Sequence, residues 1–155
     1  MSGLVHKMLD RVFGTAEEIN GAHRCPTYLY RWTVRKTAGG KWYLHKFVGD
    51  DWSLDFHDHP KEFTSIGLWG SYLEATPAGT KRWRAPWFRR FPAEHKHRIT
   101  TPWGTCWALV IVGKSIREWG FWHDGKLVPW REYVASDAAD EMKACPVLWR
   151  KCHKK

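Results

Sequence analysis

Two histidines, His57 and His59, stand one residue apart in His57-Asp58-His59-Pro60, and a third, His97, follows in Pro92-Ala93-Glu94-His95-Lys96-His97. In an extended strand side-chain direction repeats every two residues, so His57 and His59 project from one face and Asp58 from the other. A histidine brought alongside from a later strand completes a facial set of three imidazole nitrogens, which suits a divalent transition metal. His95 shares the face of His97 if that segment is extended, making it a candidate additional ligand or proton carrier. Asp58 and Glu62 are candidate acceptors for imidazole N–H groups. An anionic substrate at such a centre would need a donor fork, and Arg31, Arg84 and Arg90 are candidates, with Tyr72 beside them. His45, on the preceding strand, could face the same cavity but reads first as core or surface, and Trp42, Trp69, Trp83 and Trp107 read as core.

The elements that must position these residues are short. An apolar stripe of Leu4, Met8, Val12 and Phe13 predicts a helix over residues 3–20, interrupted at Gly14. Strands are expected at 28–34, 41–48, 55–59, 63–69, 71–75, 81–83, 87–91, 97–100, 106–112, 116–122 and 127–130, with 77–80 as a loop. His123-Asp124-Gly125-Lys126 reads as a hairpin turn. A helix is expected over 136–143, capped by Ser136 or Asp137. Many short strands at roughly eight- to twelve-residue spacing predict an all-β sandwich or barrel. One domain spans 1–155, with its core over 28–134 and helical ends.

Composition agrees with one such domain. The chain has 155 residues, 43% apolar and 26% charged, which excludes a disordered chain. Twelve tryptophans, five tyrosines and seven phenylalanines predict broad aromatic walls. The net charge is +9, concentrated at Lys81, Arg82, Arg84, Arg89, Arg90 and in Arg150, Lys151, Lys154 and Lys155. It favours anionic partners: a small anionic molecule first, with a nucleotide or nucleic acid as the alternative. No apolar run reaches the roughly 18 residues of a membrane span, and no signal peptide opens the sequence, so no membrane partner and a soluble, cytoplasmic protein are expected. Cys25, Cys106, Cys145 and Cys152 form no CxxC pair and are expected reduced. Cys106, inside an apolar run, reads as core.

His57, His59 and Gly70, followed by Pro92 and His97 and the apolar run Ala108-Leu109-Val110-Ile111-Val112-Gly113, resemble the two motifs of the cupin superfamily. The resemblance covers residues 42 to 113. It implies a double-stranded β-helix, a jelly-roll barrel, here with short helices at both ends. Leu44-His45-Lys46-Phe47 and Trp119-Gly120-Phe121-Trp122 add a likeness to small cupin-like proteins of bacteria and their phages. The superfamily's usual glutamate would fall four residues after His59, where this chain has Phe63. In an alternating strand Glu62 and Phe63 face opposite ways, and the superfamily's register implies that Phe63 faces the metal and Glu62 does not, unless a bulge turns Glu62 inward. The site is then three histidines, as in thiol-dioxygenase-like cupins.

That resemblance implies a non-haem iron(II) oxygenase acting on a small anionic substrate, with zinc, manganese or nickel as other metals. The alternative is a non-catalytic module that binds a nucleotide, sugar or nucleic acid through a basic, aromatic-rich surface. A dimer is compatible with the resemblance, but no mating strand can be named from these residues.

Overall fold

The computed structural model of the chain describes residues 2–20, 27–101 and 103–135. The expected helix over 136–143 and Cys25, Cys145 and Cys152 lie outside the described residues. Helix α1 (Ser2–Phe13) leads into β1 (Glu17–Ile19), β2 (Leu29–Thr37), β3 (Gly40–Phe47), β4 (Phe56–His57), β5 (Phe63–Trp69) and β6 (Ser71–Thr76). There follow β7 (Gly79–Arg84), β8 (Trp87–Phe91), β9 (Arg98–Thr100), β10 (Cys106–Val112), β11 (Gly120–His123), β12 (Lys126–Pro129) and the short helix α2 (Trp130–Ala135).

Six strands form one sheet in the order β1-β2-β3-β10-β5-β8, and two three-stranded sheets run β12-β11-β4 and β7-β6-β9. All pairings are antiparallel. β10 is central, between β3 and β5, and is therefore apolar on both faces. Its Cys106, Ala108 and Val110 point into the core, where they meet Leu29, Tyr43, Phe47, Tyr72, Trp87 and Ile99 from both layers. A second cluster of Trp52, Phe121 and Tyr133 lies by β11 and α2.

Two glycines are fixed by close approach. A Cβ on Gly67 would lie 2.2 Å from the ring of Trp87, its partner across the β5–β8 ladder. Gly70 has φ +80° and lets the chain pass against Thr105 as β5 turns into β6. The hairpin turn at Asp124-Gly125 has positive φ at both residues, as a tight β-hairpin requires.

The N-terminus departs from expectation. The helix stops at Phe13, Gly14 takes φ +84° and donates to the Asp10 carbonyl, and residues 17–19 form a strand. Glu17-Glu18-Ile19 lacks apolar alternation and is extended only because it pairs with β2. The stripe of Leu4, Met8 and Val12 faces solvent; the helix instead sets His6 against Tyr30 and Trp32, while Asp10 accepts from Trp32 Nε1 at 2.8 Å. The loop expected over 77–80 is narrower, since Gly79 and Thr80 already belong to β7. The strand expected from Ile116 starts only at Gly120, and Trp130 begins α2.

Candidate metal centre and its cavity

β4 is only two residues long, yet it fixes the site. His57 exchanges both main-chain hydrogen bonds with His97, each 3.0 Å, in an isolated bridge between β4 and the segment before β9. His59 N donates to the Ala93 carbonyl at 2.9 Å, extending the same contact. These main-chain bonds bring together histidines that lie about forty residues apart in sequence.

The three imidazoles converge. His59 Nε2 lies 2.9 Å from His97 Nε2, and ring centroids are 4.9 Å apart for His57–His97 and for His59–His97. One ligand nitrogen from each residue falls within 4.8 Å of the others. Phe63 packs on His59 at 4.6 Å and stacks on Phe91 at 4.5 Å, so it faces the site, as its register requires. The rings line a cavity of about 730 Å³ that also includes Tyr43, His45, Phe47, Tyr72, Phe91 and Phe121.

One residue central to the site carries no motif signal. Glu74, on β6 and 2% exposed, accepts from His97 Nδ1 and His95 Nε2 through Oε1, both at 2.9 Å. Through Oε2 it accepts from Arg89 Nη1 at 2.7 Å and Trp83 Nε1 at 2.8 Å. Burial opposes its ionisation, but the hydrogen bonds from His95, His97 and Arg89 outweigh burial and hold the carboxyl well below its usual range. Glu74, His95 and His97 also satisfy metal-ligand proximity. Four donors already use the lone-pair directions of the carboxylate, however, so Glu74 acts as a hydrogen-bond hub.

The same contact settles a tautomer. A carboxylate only accepts, so His97 donates through Nδ1 and leaves its Nε2 lone pair directed at His59. Burial pushes the His97 pKa down to about 4 against the opposing pull of Glu74, and burial together with neighbouring imidazoles pushes His59 well below its usual value. Neutral imidazoles are the form that binds metal. The donor set therefore fits a divalent transition metal.

The other sequence candidates divide by side of the wall. Arg31 and Tyr72 line the cavity. His95 is turned to Glu74 and not into the triad. Glu62 and Arg90 lie outside, exposed and paired with each other at 2.8 Å, and Arg84 is exposed on β7. The inward arginine of β8 is Arg89, one residue from the expected Arg90, because Trp87, Arg89 and Phe91 share the inner face. Asp58 does not orient an imidazole: it is fully buried on the far side, where it accepts from Arg117, Gly120 and Trp122. Trp69, expected in the core, is 71% exposed. Cys106 is core, its thiol pKa pushed up by burial to about 12.

His45 faces the cavity, and its Nε2 is buried without a hydrogen-bond partner among the described residues. Burial, reinforced by Arg31, pushes its pKa down to about 3. Between the usual imidazole value near 6.5 and about 3, the unfolded chain binds a proton that the folded chain refuses. Stability therefore falls as pH is lowered through that window. Urea melts of metal-free protein at stepped pH should show a flatter acid limb for His45→Phe than for wild type, and equal limbs would contradict the assignment.

No protein-family model matches the chain. Among solved structures, a sugar phosphate isomerase from a cupin superfamily, from Silicibacter pomeroyi, is 11% identical over 63% of this chain and 66% of that one, with a TM-score of 0.53. An uncharacterized conserved protein with a double-stranded β-helix domain from Klebsiella pneumoniae is 12% identical over 73% of this chain and 92% of its own, with a TM-score of 0.52. A DMSP lyase from Ruegeria pomeroyi is 15% identical over 64% of this chain and 56% of its own, with a TM-score of 0.53. Identities this low establish architecture and leave activity open. No helix among the described residues is long and apolar enough to cross a membrane. By strand order, packing and these likenesses, the chain has the cupin fold, a double-stranded β-helix barrel with three histidines on its inner wall.

Proposed function

We propose that this protein is a metal-dependent cupin enzyme, a non-haem iron(II) oxygenase that acts on a small anionic molecule. The observation that carries the reading is the convergence of His57, His59 and His97 on the wall of an aromatic cavity. His57, His59 and His97 would hold the metal; iron(II) there would supply oxygen chemistry, whereas zinc would supply Lewis-acid polarisation. Glu74 fixes the His97 ring through Nδ1. Phe63, Phe91 and Phe121 line the same cavity and offer apolar surface for the body of a substrate. Arg31 supplies positive charge in the same cavity. The sugar phosphate isomerase among the similar structures shares the fold, and its name is consistent with an anionic substrate for this one.

The test is elemental analysis of protein purified without chelators, then anaerobic iron(II) loading and an oxygen-uptake screen with small thiols and carboxylic acids. Stoichiometric iron and substrate-dependent oxygen uptake are expected. Stoichiometric metal with no uptake for any acid or thiol would defeat the oxygenase assignment and leave the metal site standing.

A second reading, a non-catalytic module for nucleotides or nucleic acid, is favoured by one outer-surface observation. Trp69 on β5 and Phe88 on β8 are 71% and 74% exposed, with Arg90 exposed on β8 and Arg84 on β7. Single-strand binding that weakens steeply with salt would support it.

A further inference from the structure

Arg31 lies on the cavity face of β2, and its donor fork is already engaged. Its Nη2 donates to Glu17 Oε1 at 2.7 Å and its Nε to Glu17 Oε2 at 3.0 Å. The two residues are direct partners across the β1–β2 ladder, and the guanidinium also sits 4.8 Å over the Tyr43 ring. Across the next ladder the partner of Arg31 is His45, whose buried Nε2 has no hydrogen-bond partner among the described residues and which lines the same cavity. Lys61 and Glu18 line the cavity too. Glu18 Oε2 accepts from Thr27.

Two features make this arrangement more than a surface ion pair. Glu17 is 60% exposed at its side chain, so its carboxylate can swing into water while the main-chain pairing of β1 stays intact. An exposed pair contributes little to stability, so another carboxylate can exchange for it at small cost. Beside it, the His45 nitrogen lacks the partner that a buried polar group ordinarily has, and a ligand oxygen entering the cavity would supply one. Tyr43, Phe47, Phe63 and Tyr72 line the same cavity, which suits an apolar or aromatic body.

We propose that Arg31 and His45 form a carboxylate-binding subsite in the cavity, and that Glu17 occupies Arg31 as a stand-in until a ligand's carboxylate displaces it. The ligand class is a small carboxylic acid with an apolar or aromatic body. This deepens the proposed function, since the same cavity is taken as the substrate site, yet the subsite does not require the metal.

Isothermal titration of metal-free and metal-loaded protein with phenylacetate, and with phenylacetamide as the neutral isostere, tests it. Glu17→Gln should bind phenylacetate several-fold tighter than wild type, because the internal competitor is gone. Arg31→Gln should weaken phenylacetate by about tenfold or more, as expected for losing a charge-assisted pair, and leave phenylacetamide unchanged. Arg31→Lys, which keeps charge and loses the fork, should fall between, and His45→Phe should weaken the acid more than the amide. Retained amide binding shows that each variant is folded. Equal affinity in wild type and Glu17→Gln overturns the proposal, as does an Arg31→Lys variant as tight as wild type. Absence of phenylacetate binding in both wild type and Glu17→Gln overturns it as well. If the metal-free arm behaves as expected but no metal binds, the metal reading fails and the subsite stands.

Discussion

Replacing His97 with alanine should reduce bound divalent metal from near one per chain to background. His97 is the residue on which the cluster depends twice: its Nε2 faces His59 at 2.9 Å, and its Nδ1 is anchored to Glu74 at 2.9 Å. The fold should survive the change. The bridge to His57 is made by main-chain atoms and persists, and Glu74 keeps the donors from His95, Arg89 and Trp83. Glu74→Gln is the informative companion. An amide cannot accept through both ends, so either the His97 N–H or the Arg89 guanidinium is left facing an NH₂ group. Losing such an acceptor behind a ligating histidine weakens metal typically by about 10–100-fold, and removing the ligand itself should cost more. Competition with a chromophoric chelator measures both. Full metal retention in His97→Ala would remove the three-histidine centre, and equal affinity in Glu74→Gln and wild type would remove the role given to Glu74.

How far the sequence anticipated this depended on whether a residue's role was set locally. β5, β8 and β10 occupy the expected ranges because their apolar and β-branched runs are bounded by Gly, Pro or polar turns. The shared face of His57 and His59 follows from two-residue periodicity, whereas Phe63 turned toward them follows from the superfamily's register, because the chain between His59 and Phe63 is not extended strand. Glu74 was invisible because nothing in Leu73-Glu74-Ala75 distinguishes an inward carboxylate; its burial depends on β9, which pairs with β6 from a distant part of the chain. Arg90 was chosen over Arg89 for want of a register, which only the β5–β8 pairing supplies. β1 is likewise a product of its partner strand, since three residues with two adjacent glutamates carry no strand signal of their own. Asp58 lies on the face opposite the imidazoles, as alternation implies, but its task there is to accept from Arg117, Gly120 and Trp122.

That task is structural, and it predicts the larger stability effect. Asp58 is 0% exposed and accepts from Arg117 Nη1 at 2.7 Å, from the Gly120 N–H at 2.9 Å and from Trp122 Nε1 at 3.2 Å. It thereby ties the turn between the two ligating histidines to β11. Its neighbours on the opposite face are His57 and His59, so a shift of this residue is a shift of both ligands. Asp58→Ala would strip three donors at once and leave Arg117, 23% exposed at its side chain, without its carboxylate. Breaking one partner of such a pair costs about 3–5 kcal/mol when it is buried; part-exposure of the arginine places the expectation near the lower end, about 3 kcal/mol. In a chain of this size that corresponds to a fall in Tm of roughly 10 °C. Asp58→Asn keeps one acceptor oxygen for Gly120 or Trp122 and loses the charge, so it should lie between alanine and wild type. Calorimetry and urea melts of metal-free protein give the ranking directly. The order wild type, asparagine, alanine, with metal affinity falling in parallel, is the expected result. A stable Asp58→Ala protein with unchanged affinity would mean that the β11 contacts do not hold the histidine turn in place.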